Sequence, residues 1–443
     1  MSDSPDRHPL FSWLTFLIVL VIAIVLQNTV GPWKGEYVER IDIDACIAII
    51  LAVSLNIVNG YTGQFSIGHA AFSAIGGYAA ATITYYGSLM LWNHTYAFAS
   101  PGKFDGPFSQ WMAELGASFM TQQSLFVVAM IVGGLVAALA GWVVGLPSLR
   151  LRGDYLAIVT LGFGEILRVL LQQTNAQLYT QEEVHAATAG QLFPPPVGGA
   201  LGFTNIPKTT TLFWTSLLAG ITLVIAWRLK KSTFGRSMIA IRENEIAAEA
   251  MGVNITRLKV WAFVFAAFFA GVAGALYAHE PGTQLGPSDG GFLRSFDIVI
   301  MVVLGGLGSI SGATLAAVLL TLANEWLRDP AQPIPMFGMS VQVWMIAAVL
   351  LAVRLVVWPF DRTRAAIWGV GGIIALESIQ FLARVYEIEL GDYRMIIYAL
   401  VLIGMMILRP GGLFGTAEIT DLPRLRRQRL KLATPAGEPE VTQ

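Results

Sequence analysis

The sequence has few charged residues and almost no cysteine. Of its 443 residues, 13% are charged and 55% are hydrophobic, whereas a soluble domain carries about 25% charged residues. The single cysteine, Cys46, lies in an apolar run, which excludes an intrachain disulfide and a Cys-based metal motif. The formal net charge of -1 provides no global field that would attract nucleic acid. This composition is typical of a polytopic protein in a lipid bilayer.

Motifs for phosphate binding and catalysis are also missing. No GxxxxGK[ST] loop occurs, so any ATP and Mg²⁺ that drive this protein must be bound by other chains. There are five histidines, and no His–carboxylate pair recurs at the spacing of a metal site or a catalytic site. The sequence therefore predicts no cofactor and no catalytic residue on this chain, and not an enzyme.

Long apolar runs are abundant and predict an all-α bundle of about 10–12 transmembrane helices, because a span needs about 20 mostly apolar residues. The candidate spans are 10–26, 43–59, 66–86, 124–146, 154–171, 212–229, 259–279, 296–308, 312–328, 341–360, 366–385 and 395–409. The pair 296–308 and 312–328 is short and separated by GGLGSISG. It is either two spans, one broken helix, or a re-entrant hairpin followed by a helix.

Lysine and arginine concentrate on alternate connections between these spans, which predicts a bacterial inner-membrane protein with both termini in the cytoplasm. We divide the chain into a first helix and outer loop, a core, an additional helix pair, a last helix, and a basic cytoplasmic tail with a disordered end. The corresponding ranges are 1–42, 43–328, 329–393, 394–415 and 416–443.

Two glycine-interrupted segments stand out, NGYTGQFSIGHAAF (59–72) and VLGGLGSISGATLAA (303–317). Paired broken segments in two halves of a transporter point to a transport site and suggest an internal repeat. The first segment can also be a plain cytoplasmic turn, whose glycines only allow a tight reversal. If the segments line the translocation path, the candidate residues are Asn56, Gly60, Gly63, Gln64, Ser66, His69, Gly305, Gly306 and Ser309. We expect His69 to form a hydrogen bond in that wall and not to bind a metal.

A hydrophilic segment from Lys230 to Trp261 lies on the predicted cytoplasmic side. Ser237 can cap a helix over about 237–252, and Gly252 suits the left-handed position after a helix end. Asn254 can cap the next helix. The segment is either a solvated connector or a helix that docks onto a cytoplasmic partner.

Several stretches resemble a known family. AAEAMGVNITRLKVW (247–261) is similar to the coupling loop of ABC-importer permeases. SLNIVNGYTGQFSIGHAAF, GLPSLRLRGDYLAIVTLGFGEILRVLL, FDIVIMVVLGGLGSISGATLAA and YALVLIGMMILRPGGLFG resemble the branched-chain amino-acid ABC transporter permeases, in the M-type of their two paired subunits. The resemblance does not extend to 329–393.

The resemblance implies an importer of branched-chain or other hydrophobic amino acids. Its partners would be a second permease, two cytoplasmic ATPases that bind ATP and Mg²⁺, and a periplasmic binding protein. The implied ATPase-coupling residues are Arg242, Glu245, Ala247, Glu249, Ala250 and Gly252. Two alternatives remain open: a urea or short-amide permease of the same family, and an ion-coupled secondary transporter, which would need carboxylates deep in its spans.

Ionisable residues inside spans are candidates for function. Glu165 and Arg168 are three apart on one helix, so they can pair structurally or contact substrate at a gate. Asp297 is expected at the start of a span, where a carboxylate favours the helix dipole.

Overall fold

The computed structural model describes residues 9–30, 36–92, 108–148, 154–192, 194–328, 334–336 and 339–341, and the single positions 400, 403, 412, 415 and 418. These residues form a helical bundle, as the sequence predicts. Its helices are α1 (Pro9–Val30), α2 (Glu36–Asn56), α3 (His69–Trp92), α4 (Phe108–Ser148), α5 (Asp154–Gln172), α6 (Gln181–Ala186), α7 (Ala189–Leu192), α8 (Leu212–Lys231), α9 (Thr233–Glu243), α10 (Glu245–Ala250), α11 (Ile255–Ala278), α12 (Phe292–Gly305) and α13 (Ile310–Arg328).

Five helical stretches of the described chain are long and apolar enough to cross a membrane. They are Tyr37–Tyr61, Gln123–Leu146, Tyr155–Gln172, Leu212–Lys231 and Ile255–Ala278. Thr15–Asn28 and Ile310–Glu325 are shorter apolar stretches. The apolar window of α2 is 94% buried and that of α5 is 22% buried, so α2 lies at the centre and α5 at the periphery.

Small residues allow α3, α4 and α11 to pack closely. A Cβ on Gly76 of α3 would lie 2.2 Å from Gly271 Cα of α11, and a Cβ on Gly274 would lie 1.8 Å from the Ser73 carbonyl oxygen. On α4, a Cβ on Gly141 would lie 2.5 Å from Ala267 Cβ. Such contacts let helix backbones approach where lipid removes the hydrophobic driving force between helices.

Two short strands and an ordered loop complete the described fold. The strands β1 (Ile334–Met336) and β2 (Met339–Val341) pair antiparallel, within the range 329–393. In the connection between α5 and α8, Phe203 is buried and its N–H donates to the Leu285 carbonyl oxygen at 2.8 Å. The candidate spans at 341–360, 366–385 and 395–409 and the tail lie outside the described residues, apart from Val341 of β2 and the single positions named above.

The helices differ most from the sequence predictions in two places. Helix α4 begins at Phe108, although the sequence places the start of that span near 124. The single helix expected at 237–252 is instead two helices, α9 and α10, with Asn244 between them. The Asn244 side chain accepts a hydrogen bond from the Ala247 N–H at 3.0 Å, so this residue caps the second helix rather than continuing the first.

The caps around this segment explain its limits. Ser232, not Ser237, caps α9 and accepts from the Gly235 N–H at 3.0 Å. Ser237 lies inside α9, and its hydroxyl donates to the Thr233 carbonyl oxygen. The expected left-handed exit is confirmed, because Gly252 has φ +82°. The expected cap of α11 is also confirmed, because Asn254 accepts from the Arg257 N–H at 2.9 Å.

The segment 296–328 forms two helices. Helix α12 has 14 residues and is about 21 Å long, which is shorter than a hydrocarbon core of about 30 Å. Gly306 follows it with φ +110°, and α13 starts at Ile310. Glu165 pairs with Arg168 at 2.7 Å and accepts from the Phe292 N–H at 3.0 Å, so this ion pair holds the start of α12.

Candidate functional site

The first glycine-interrupted segment continues α2 without leaving the protein interior. Helix α2 passes into one turn of π-helix at Ile57–Tyr61, and the chain then runs without helix to Gly68 before α3 begins. The predicted polar residues of this segment are buried: Asn56, Gln64, Ser66 and His69. Irregular backbone at a membrane protein's core is tolerated where protein or water satisfies it.

Asn56 joins the two glycine-interrupted segments directly. Its side-chain oxygen accepts from the Gly308 N–H at 2.8 Å, and its side-chain nitrogen donates to the Ser309 carbonyl oxygen at 3.1 Å. A Cβ on Gly60 would lie 2.1 Å from Asn56 Oδ1 and 2.4 Å from the Gly308 nitrogen. The glycine at position 60 is therefore required for this contact. We call residues 57–68 and 305–309 together the glycine junction.

Arg242, at the end of α9, reaches into the glycine junction. Its Nη1 donates to the Gly60 carbonyl oxygen at 2.7 Å. A Cβ on Gly63 would lie 2.8 Å from Arg242 Cγ, and a Cβ on Gly308 would lie 2.7 Å from Arg242 Nη1. The guanidinium therefore lies in a slot that only glycines on both segments leave open. This connects a predicted coupling residue to the predicted path residues.

The other predicted path residues of the first segment bond within the junction and to α2. Asn59 Oδ1 accepts from the Ser66 N–H at 3.1 Å, and the Thr62 hydroxyl lies 3.0 Å from Gln64 Oε1. His69 Nε2 lies 2.8 Å from the Ser54 hydroxyl. Among the described residues, the buried Ser66 hydroxyl oxygen has no hydrogen-bond partner. An unsatisfied buried hydroxyl favours a site that a water or a passing ligand completes.

The three predicted residues of the second segment form the turn between α12 and α13. Gly305 packs against Gly312: a Cβ on Gly305 would lie 2.4 Å from the Gly312 carbonyl carbon. Gly306 supplies the left-handed conformation of the turn. The Ser309 hydroxyl accepts from the Gly312 N–H at 3.1 Å, at the first turn of α13.

A second cation and a carboxylate from the C-terminal part of the chain hold the same turn. Lys230 donates to the Gly308 carbonyl oxygen at 2.6 Å and pairs with Glu418. Glu418 accepts from the N–H groups of Ile310 and Ser311 at 2.9 and 3.0 Å, which caps α13. Burial alone would raise the pKa of Glu418, but these hydrogen bonds outweigh burial and lower it.

The predicted coupling residues of α10 lie on the protein surface. Ala247, Glu249, Ala250 and Gly252 are exposed, and Ala248 is buried against the bundle. Two large apolar side chains flank them: Ile246 is 78% exposed and Met251 is 84% exposed. Glu245 differs from these residues, because its carboxylate pairs with the buried Lys259 at 2.5 Å.

A cavity of about 130 Å³ lies elsewhere, between α2, α12 and α13. We call it the interhelical cavity. Its lining combines charged, polar and apolar side chains: Ile41, Asp44, Ala48, Leu51, Arg294, Asp297, Ile298, Ile300, Met301, Leu320, Thr321, Asn324 and Glu325. None of the nine predicted path residues is in this set. Asp297 lies five residues into α12, so it does not begin the helix as expected.

The sequence analysis missed Lys230, Glu418, Asp44 and Arg294. The signal available for Asp44 and Arg294 was a charge within or next to an apolar span. Lys230 and Glu418 gave no local signal, because only the fold brings the C-terminal carboxylate to α13. No group of three or more potential metal ligands occurs within the described part of the chain.

The apolar helices, the buried irregular junction and the surface-exposed α10 together define a multi-pass membrane transport protein. The family model for the branched-chain amino acid transport system permease component matches residues 37–357, so the chain belongs to this family. Members of this class are transport subunits rather than enzymes, and they generally function with ATPase and binding-protein partners. Membership of this family, together with the apolar helices, identifies the chain as a multi-pass inner-membrane protein.

Curated relatives agree with the family. The chain is 34% identical over 331 residues to the high-affinity branched-chain amino acid transport system permease protein LivM of Salmonella typhimurium, covering 71% of this chain and 68% of the relative. It is 34% identical over 298 residues to LivM of Escherichia coli, covering 64% and 62%. A probable LivM of Methanocaldococcus jannaschii is 26% identical over 312 residues, covering 69% and 82%. No solved structure matches the chain significantly.

Proposed function

We propose that this chain is the membrane permease of an ATP-driven importer for branched-chain or other hydrophobic amino acids. A periplasmic binding protein delivers the substrate, a second permease completes the path, and two ATPase subunits bind ATP and Mg²⁺. The family and the similarity to the LivM proteins support the substrate class. Both termini and α9–α10 lie on the cytoplasmic side in this proposal, since the basic residues Arg228, Lys230 and Lys231 end α8 there.

Arg242 is the observation that supports the mechanism most directly. It lies two residues before Asn244, where the exposed α10 begins, and its guanidinium donates to the Gly60 carbonyl oxygen at 2.7 Å. In this proposal a displacement of α10 by an ATPase reaches the glycine junction through the Arg242 side chain. In this mechanism ATP binding closes the ATPases, moves α9–α10, and changes the packing between Gly60 and Gly308.

The exposed apolar face of α10 is the ATPase docking surface in this proposal. Ile246 and Met251 each leave more than three quarters of their surface exposed and flank the same short helix, so one partner groove covers both in this proposal. A short helix that presents such anchors is typical of insertion into a partner's groove. Glu249 and Gly252 lie between and beside these two anchors.

Docking is tested by co-purification. Ile246→Asp and Met251→Asp place a charge in the buried part of the interface, so we expect the ATPase to be lost from the purified complex while the permease still reaches the membrane. Leu201→Asp is the matched control, because Leu201 is 86% exposed in the connection between α5 and α8. Equal ATPase recovery from all three variants would contradict docking at α10.

The energy source is tested with this chain intact. Removing the catalytic base of the partner ATPase abolishes uptake of labelled leucine if the proposal is correct. Uptake that persists in that strain and collapses with an ionophore identifies an ion-coupled transporter instead. If the intact complex takes up urea or short amides in preference to leucine, the protein is a urea or short-amide permease of the same family.

A further inference from the structure

We propose that the interhelical cavity is a binding site for the substrate in its zwitterionic form, with the charged amino-acid head at the cavity mouth and the branched side chain at its apolar floor. The proposal rests on the proposed function, and it adds a site within this chain that recognises both parts of the amino acid. The cavity is separate from the glycine junction.

The charges of both signs lie at one end of the cavity. Asp44 is the ninth residue of α2, Arg294 lies near the start of α12, and Glu325 lies near the end of α13, while Asp297 lies about one turn deeper on α12. The Tyr37 hydroxyl donates to Glu325 and so joins the start of α2 to the end of α13 at this mouth. The Arg294 guanidinium lies 5.0 Å from the centre of the Tyr277 ring, which fixes its direction.

Apart from Ile41, which lies outside Asp44 on α2, the apolar lining residues lie deeper along the same three helices. From Asp44 to Leu51 on α2, and from Arg294 to Met301 on α12, the chain advances two turns, or about 10 Å. On α13, which runs in the opposite sense, Leu320 lies about 7 Å deeper than Glu325. The cavity therefore has a charged mouth and an apolar floor, and about 7–10 Å along the helices separates them.

This pattern matches an α-amino acid better than a neutral amide. A guanidinium binds a carboxylate with strong charge-assisted hydrogen bonds, and carboxylates bind the ammonium group in the same way. Urea carries neither charge and has no apolar part for the floor. The cavity volume of about 130 Å³ exceeds many times the roughly 10–15 Å³ that a single water needs on the same measure, so the cavity has room for a small organic molecule.

Filling the floor changes the preferred substrate if the site is correct. In proteoliposomes with the full chain, its partner subunits and the loaded binding protein, we compare uptake of labelled leucine and alanine. Met301→Trp occupies the floor, so leucine uptake falls by about tenfold or more relative to alanine. Leu293→Trp is the matched control on the same helix, because Leu293 is 61% exposed and does not line the cavity.

The mouth is tested by charge. Arg294→Gln lowers leucine uptake by about tenfold or more, and Arg294→Lys restores part of it because a cation remains. Immunoblots and co-purification of the partners separate this effect from misfolding. Leucine and alanine share the charged head, so Arg294→Gln lowers the uptake of both, and unchanged uptake by a normally assembled Arg294→Gln complex contradicts the head-group contact.

The outcomes distinguish this site from the proposed function. If wild-type protein imports leucine but Met301→Trp and Leu293→Trp give the same leucine-to-alanine ratio, the cavity is not a substrate site and the importer stands. If the wild-type complex imports neither amino acid with ATP, the proposed function fails and this inference fails with it. A selective change of ratio in Met301→Trp alone supports the site.

Discussion

Replacing Arg242 by methionine tests whether this side chain carries motion from α10 to the glycine junction. The variant retains an apolar stem of similar length but loses the donor to the Gly60 carbonyl oxygen, which lies at 2.7 Å in the native protein. Gly60 is buried, so its carbonyl group is left without that donor. An unsatisfied buried group costs about 1–3 kcal/mol.

The ion pair of Arg242 with Glu243 adds little to this free-energy cost. The pair is close, but the Glu243 side chain is 68% exposed, and exposed pairs contribute about 0–1 kcal/mol. The Gly60 contact therefore dominates. A coupling free energy of about 1–3 kcal/mol corresponds to a change of about 5- to 150-fold in the linked equilibrium. We expect ATP-dependent leucine uptake to fall within this range.

The assay measures leucine uptake and ATP hydrolysis by the purified complex in proteoliposomes, together with recovery of the ATPase. Arg242→Met keeps the ATPase bound and hydrolyses ATP, while its leucine uptake falls by about 5- to 150-fold. Arg236→Met is the matched control on α9, since Arg236 is exposed and donates to the Lys231 carbonyl oxygen at 3.4 Å. Uptake of Arg242→Met equal to that of the control would refute the reasoning. Loss of the ATPase from Arg242→Met would also refute it, because the residue would then serve docking.

Three further predictions concern stability, measured as the thermal unfolding midpoint in detergent. Gly60→Ala breaks the contact between the two junction segments and costs about 1–3 kcal/mol, whereas Gly162→Ala in α5, whose Cβ meets no atom within 4 Å, keeps the midpoint or raises it slightly. Glu418→Gln destabilises the protein at neutral pH. The fold lowers the pKa of Glu418, so its contribution to stability is fully present above the ordinary pKa of 4.5 and is lost as the pH falls through the lowered value. The midpoints of the wild-type protein and Glu418→Gln therefore converge in acid. A difference that stays constant with pH contradicts the cap. Glu245→Ala leaves the buried Lys259 unpaired, so it lowers the free energy of unfolding by about 1 kcal/mol and lowers the midpoint accordingly. Glu249→Ala changes ATPase recovery but not the midpoint.

The helices could be predicted from the sequence because hydropathy alone determines where a chain can cross lipid. The apolar stretches now seen as α2, α8 and α11 coincide with predicted spans. The break at Asn244 was wrongly predicted as continuous helix. An asparagine three residues before Ala247 is a possible cap, but in RENEIAAEA it is surrounded by good helix formers.

The junction could be predicted only in part. Glycines and polar residues in two apolar regions indicated two irregular segments, and the structure brings both together through Asn56 and Ser309, which are 253 positions apart. No local pattern specifies such a contact, because it depends on how helices pack. The lining role of the nine path residues stays a prediction, and the buried Ser66 hydroxyl is its strongest support.

Two helices connect the junction with the interhelical cavity. Helix α2 carries Asp44 at the mouth of the cavity and Asn56 at the junction, and α12 carries Arg294 at the mouth and ends at Gly305. Each distance is about 16–18 Å along a helix, and an α-helix transmits displacement without much internal change over that length. In the proposed mechanism, α2 and α12 are the elements that carry a movement at Arg242 to the cavity. This geometry favours a mechanism in which the ATPases change access to the cavity from its opposite end, while the residues that recognise the amino acid stay in place on their own helices.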